Sequence, residues 1–140
     1  MPLRCVDASF VVAWLVPAQG SAAVEEAWLP YAQGRDDFIA PALFYPEIVS
    51  TIRRLARHGA LPEQSARRLV NDFLALDIPT HTPPGLYQRA YELAARYNRA
   101  NVYDMCYLAL SERFSCDLLT LDKHLYNVAR WDFPNVKLVQ

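Results

Sequence analysis

The run Asn101-Val102-Tyr103-Asp104-Met105-Cys106-Tyr107-Leu108-Ala109-Leu110-Ser111-Glu112 constrains this chain more than any other stretch. Read as a helix, it carries apolar side chains on every side. A helix of that kind belongs in a core or a membrane. The run is about ten residues, far short of the ~20 that span a bilayer, which places it in a core. Asp104 is the one charge inside it, on a stripe with Tyr107, Leu108 and Ser111. No Lys or Arg lies three or four residues away to pair with it. A buried carboxylate without a partner is costly, so Asp104 is expected to pair, bind a metal or protonate.

Short strand-like runs alternate with helices around that element. Leu3 to Val6 reads as a strand ending at Asp7, and Ser9 is positioned to cap a helix Phe10–Val16 that Pro17 stops. Ser21 caps a second helix to about Gln33, and Phe38-Ile39-Ala40 forms a second strand after the turn Gly34-Arg35-Asp36-Asp37. Pro46 and Glu47 suit the first turn of a helix that runs to about His58 and closes at Gly59. Pro62 and Glu63 open a helix to about Leu76, and Asp77-Ile78-Pro79-Thr80 reads as an edge strand. Leu86–Tyr97 is a further helix. After the buried helix come a strand Asp117–Leu121 ending at Asp122, a helix Lys123–Arg130, and a last strand Val136–Val139. The alternation predicts an α/β fold: a three-layer α/β/α sandwich with a short, mainly parallel sheet. With 140 residues, a single domain over 1–140 is expected, burying roughly 68% of its unfolded surface.

Global composition excludes little. Net charge is −1, which announces neither nucleic acid nor membrane. Met1-Pro2-Leu3-Arg4 leads directly into the first strand, so no signal peptide and a cytoplasmic protein are expected. Cys5, Cys106 and Cys116 match no zinc spacing and read as core thiols in a reducing compartment. His58, His81 and His124 are scattered and form no ligand set.

The acids are more informative. Asp7 and Asp122 each end an apolar strand and begin a helix, so in a parallel sheet both reach the same edge. Asp104 begins the buried helix and Glu47 begins another. Ligands of such folds bind beyond the carboxyl ends of the strands. Each acid taken alone also suits a helix start, where the dipole favours it by ~0.3–1 kcal/mol.

Four pieces in this order resemble the PIN-domain ribonucleases, and most closely the VapC-like toxins of bacterial toxin–antitoxin pairs. They are Val6-Asp7-Ala8-Ser9 after the first strand; Pro41-Ala42-Leu43-Phe44-Tyr45-Pro46-Glu47-Ile48; Tyr103-Asp104-Met105-Cys106-Tyr107-Leu108-Ala109-Leu110; and Leu119-Thr120-Leu121-Asp122-Lys123-His124-Leu125. The resemblance covers essentially the whole chain. Asn101, Met105 and Cys106 depart from it, standing where the family often has Ser or Thr and small residues; none replaces an acid. The resemblance implies that Asp7, Glu47, Asp104 and Asp122 are catalytic and bind a divalent ion, Mg²⁺ or Mn²⁺. Thr120 matches a family position near the metal, where it orients a water or a carboxylate, and Ser9 is a weaker candidate of that kind. RNA is the implied substrate, and a small antitoxin and a homodimer are the implied assemblies.

Physical chemistry is consistent with those implications. Carboxylate oxygens suit Mg²⁺ and Mn²⁺. Two carboxylates ~4 Å apart repel by ~4 kcal/mol at an effective dielectric of about 20, so four in one pocket call for a cation. Without the four acids the rest of the chain carries +3. Glu47 shares a stripe with Thr51, Arg54 and His58, which makes Arg54 and His58, together with Ser9, the candidates for contact with RNA. Arg53 and Arg57 equally suit a solvated helix end. Trp28, Tyr31, Phe44 and Tyr45 are expected on or near helix faces open to a partner segment. A catalytically silent PIN-like module that binds RNA or protein is the alternative, disfavoured because all four acids are present. A haloacid-dehalogenase-type phosphatase needs an Asp where Ser9 stands, and a receiver domain needs paired acids near the first strand.

Overall fold

The structure is a computed structural model and describes residues 2–140. Four strands, β1 (Leu3–Val6), β2 (Asp37–Ile39), β3 (Asp117–Thr120) and β4 (Val136–Leu138), form one sheet in the order β2-β1-β3-β4. Every pairing is parallel, with Cys5 opposite Ile39, Val6 opposite Leu119 and Thr120 opposite Leu138. All strand carboxyl ends therefore lie along one edge. From β1 the chain moves one way to β2 and then returns to the other side for β3. The β1–β3 junction is the point where strand order reverses, and such points open a crevice.

Among the described residues, seven helices surround the sheet: α1 (Ala8–Leu15), α2 (Ala22–Ala32), α3 (Phe44–Arg57), α4 (Glu63–Ala75), α5 (Leu86–Arg96), α6 (Tyr103–Phe114) and α7 (Lys123–Ala129). A 3-10 turn, Pro17–Gln19, follows α1. The crossover through α1 and α2 runs opposite to those through α6 and α7. Because crossovers of parallel strands are right-handed, the two sets fall on opposite faces. Among the described residues, no helix is long and apolar enough to cross a membrane.

Helix α6 is the central element. Met105 through Ser111 are all buried, and the helix packs against β1 and β3 with α5 alongside it. Asp104 lies outside that buried run, in the first turn, with 40% of its side chain exposed. It also has a partner: Arg99 donates to Asp104 Oδ2 at 2.7 Å from the loop before the helix. Of the outcomes expected for this acid, pairing is the one observed, and it is a half-exposed rather than a buried pair, made across a turn of chain that helical offsets do not describe.

Three further expectations change. Asp7, rather than Ser9, caps α1, its Oδ1 accepting from the Phe10 N–H at 3.1 Å. The expected strand Asp77–Thr80 shrinks to one parallel bridge between Ala40 and Thr80. Asp77 has φ 50°, which breaks the extended run, and Pro79 has no N–H to give to a ladder. Of the aromatics expected at a partner face, Trp28 and Phe44 are buried, and Tyr31 and Tyr45 are partly buried against the core. Trp28 stacks on Trp14 with ring centroids 3.9 Å apart, and Tyr31 stacks on Phe38 at 4.2 Å. Phe44 and Tyr45 pack on Phe73, and the Tyr31 and Tyr45 hydroxyls donate to the Leu76 and Ile78 carbonyls. These rings bury their large apolar faces and satisfy their polar tips internally.

Candidate active site

A pocket of about 490 Å³ opens at the carboxyl edge of the sheet, at the β1–β3 reversal. Asp7, Glu47, Asp104 and Asp122 all line it. Four separate pieces of local structure deliver them. Asp7 follows the last residue of β1 and caps α1. Asp122 follows β3 by two residues and caps α7, its Oδ1 accepting from the Leu125 N–H at 3.0 Å. Glu47 and Asp104 stand in the first turns of α3 and α6, where an acid meets the positive end of a helix dipole.

Asp7 is the most enclosed of the four, at 6% exposure. Its Oδ1 also accepts from Ser9 Oγ at 2.6 Å, and its Oδ2 accepts from the fully buried Thr120 hydroxyl. Burial is the largest influence on this carboxyl and raises its pKa. The donors Ser9, Thr120 and Phe10 N–H pull it back, the charge on Asp104 raises it, and the result is a pKa of about 6. Thr120 is a junction: its oxygen also accepts the Asp122 N–H at 3.0 Å, linking the acids that end β1 and β3. Ser9 is a second junction, accepting the Leu121 N–H at 3.0 Å while donating to Asp7.

Glu47 is held from the core side. The Tyr107 hydroxyl donates to Glu47 Oε1 at 2.9 Å. Burial raises the Glu47 pKa most, the Tyr107 donor and Arg54 lower it, and Asp104 adds to the rise. Tyr107 is itself buried beside that acid, and both effects push its phenol far above its usual range. It is therefore a fixed hydrogen-bond donor. Sequence reasoning did not give Tyr107 a role. The available signal was its position three residues after Asp104, on the same helical stripe.

Of the proposed RNA contacts, Arg54 and Ser9 line the pocket and His58 does not. Arg54 follows Glu47 and Thr51 along one face of α3 and donates to Thr51 Oγ1 at 3.0 Å. His58 is the C-cap residue of that helix, eleven positions beyond Glu47 and so ~16 Å along the axis. Gln19, from the 3-10 turn, and Thr51 also line the pocket without having been singled out as site residues. Arg53, which spacing left ambiguous, is turned to Glu63 at 3.6 Å.

The pattern of the PIN domain matches residues 4–130 of this chain. The chain belongs to the PIN-domain family. Two curated relatives are a VapC ribonuclease of Mycobacterium bovis, 32% identical over 94 residues, and ribonuclease VapC3 of Pyrobaculum aerophilum, 32% identical over 124 residues. The first match spans 67% of this chain and 72% of the relative; the second spans 86% and 89%. Among solved structures, the Mycobacterium tuberculosis toxin VapC20, described as cleaving the sarcin–ricin loop, superposes with a TM-score of 0.58. That likeness covers 84% of this chain and 87% of VapC20 at 17% identity, and it speaks for the fold.

The matched PIN-domain span contains every acid of the pocket. As a donor set these acids are hard oxygens with no Cys or His among them, which is the chemistry of Mg²⁺, Mn²⁺ or Ca²⁺ and not of zinc. In this PIN domain they line one pocket without closing into a tight cage. Among the described residues, no group of three His, Cys, Asp or Glu is close enough to hold an ion as it stands. Asp104 is drawn toward Arg99, and Asp122 is engaged in capping. The elevated pKa values of Asp7 and Glu47 come mainly from burial, with a smaller contribution from the charge on Asp104.

Proposed function

We propose that this PIN domain is a divalent-metal-dependent endoribonuclease, hydrolysing phosphodiester bonds of RNA as the toxin of a toxin–antitoxin pair. One observation carries the reading: four carboxylates from four separate elements line one pocket at the strand-order reversal. Oxygen donors of this kind fit Mg²⁺ or Mn²⁺, and Asp7, Glu47, Asp104 and Asp122 are the residues that would hold it. When bound, such an ion lowers the pKa of water and offsets charge on the phosphoryl group.

The chain's own residues do the positioning. Thr120 and Ser9 fix the Asp7 carboxylate and brace it against the start of α7. Tyr107 fixes Glu47, and Arg54 supplies positive charge at the rim for a flanking phosphate. In the reaction a water oxygen bonds to phosphorus, the bond from phosphorus to one ribose oxygen breaks, and that oxygen gains a proton.

The proposal extends to a small antitoxin as partner, a cytoplasmic site of action and a homodimer, which follow from the toxin reading itself. With Trp28 and Phe44 buried in the core, a docking antitoxin would use surface other than those two rings. The direct test is cleavage of single-stranded or looped RNA by purified protein. Cleavage is expected with Mg²⁺ or Mn²⁺ and none with EDTA. Asp7→Asn and Asp104→Asn should each slow it by at least ~10²-fold, the scale of losing a key electrostatic group. Undiminished cleavage in EDTA would overturn the metal assignment.

A further inference from the structure

Behind Asp104 lies a second cavity of about 320 Å³, lined by Asn98, Arg99, Ala100, Asn101, Asp104 and His124. Asp104 lines this notch and the acid pocket alike, so the two adjoin. We infer that the notch is a subsite for a backbone phosphate of the RNA strand, adjacent to the cleaved bond, with Arg99 as its principal cation. The inference rests on the ribonuclease reading above.

Three observations support it. The first is the state of Arg99. Its side chain is only 18% exposed, yet the one hydrogen bond of its guanidinium among the described residues runs from Nη2 to Asp104. A guanidinium has five N–H donors in a planar fork. Most of the fork is thus uncommitted and open to the notch, where an anion with several oxygens is the natural partner.

The second is the rest of the lining. Asn101 Oδ1 accepts from the Tyr103 N–H at 3.2 Å, which leaves the N–H₂ of that amide as a free donor. Asn98 and His124 add polar groups, and no Phe, Tyr or Trp lines the notch. Base recognition on a single strand relies on aromatic stacking. A lining of Arg99 and side-chain amides, rich in hydrogen-bond donors, favours a backbone phosphate.

The third is placement. Arg54 lines the acid pocket from α3, whereas Arg99 approaches from the loop before α6. The two cations thus flank the acids from different elements, as a strand crossing the pocket requires. Asp104 opposes an anion in the notch, but Arg99 already offsets its charge on that side.

The test is RNA binding, measured by fluorescence anisotropy across a range of salt with Mg²⁺ held constant. The Asp7→Asn background is used so that cleavage does not interfere. Arg99→Ala should weaken binding about tenfold at low salt, the scale of one charge-assisted hydrogen bond. It should also reduce the slope of log affinity against log salt by about 0.7, the contribution of one single-strand phosphate. Arg99→Lys should restore most of the slope. Arg35→Ala, at the amino end of β2 and so on the far edge of the sheet, should leave it unchanged.

If Arg99 serves only to clamp Asp104, Arg99→Ala will alter thermal stability or its response to Mg²⁺ while the salt slope stays that of the parent. That result overturns the subsite and leaves the ribonuclease reading standing. A parent protein that binds no RNA at any salt overturns the reading on which the subsite rests.

Discussion

Asp7 carries an electrostatic burden that can be measured. Its folded pKa is about 6 against an ordinary value of 3.8. Between those values the folded state binds more protons than the unfolded state, so stability falls as pH rises through that window. The penalty is absent below the unfolded pKa and complete above the folded one. Two pKa units correspond to about 3 kcal/mol, taken as an order of magnitude. Asp7→Asn should therefore make the metal-free protein more stable at neutral pH, by on the order of 1 kcal/mol once lost hydrogen-bond strength is allowed for. The variant should also lose this pH-dependent component. Denaturant melts in EDTA between pH 4 and 7 check both points. Parallel pH profiles for wild type and variant would contradict the assignment.

At the scale of elements, the junction of β3 and α7 depends on Thr120. Its hydroxyl donates to Asp7 and accepts from Asp122 N–H, in a fully buried position. Thr120→Val keeps the shape and removes both bonds. Leaving the Asp122 N–H and the Asp7 oxygen short of partners should destabilise the fold by about 1–3 kcal/mol. Loss of a donor to the carboxylate should also move the Asp7 pKa further up. Denaturant unfolding and carboxyl titration by NMR report these separately.

Much at this scale could be read from residue order. The apolar run Met105–Ser111 told of a buried helix, and the strand-then-acid pattern at Asp7 and Asp122 told of one shared sheet edge. Local sequence did not show contacts closed by tertiary structure. Tyr107 and Glu47 are 60 positions apart, and their hydrogen bond exists only because α3 and α6 meet at the pocket. Arg99 reaches Asp104 across a loop, outside any helical offset. The inward turn of Trp28, Tyr31, Phe44 and Tyr45 depends on rings from several elements, so an amphipathic pattern could not distinguish core from partner face.

The whole molecule brings acids to a site meant for a polyanion while carrying a net charge of only −1. Metal-free, the pocket should repel RNA, so divalent metal would control both chemistry and access. The toxin reading makes a cellular prediction as well. Expressing this chain alone should arrest growth, and co-expression of a small adjacent open reading frame should relieve the arrest. Unimpaired growth with folded, active protein present would count against a toxin. The central claim, that four acids from separate elements make one divalent-cation site, is tested most directly by melting temperature in a Mg²⁺ titration of wild type and Asp104→Asn. A ligand of the folded state adds RT ln(1 + [L]/Kd), about 2.7 kcal/mol at a hundredfold excess over Kd. The account predicts a saturable rise for wild type and a much smaller one for the variant; equal rises for both, or none for wild type, would contradict it.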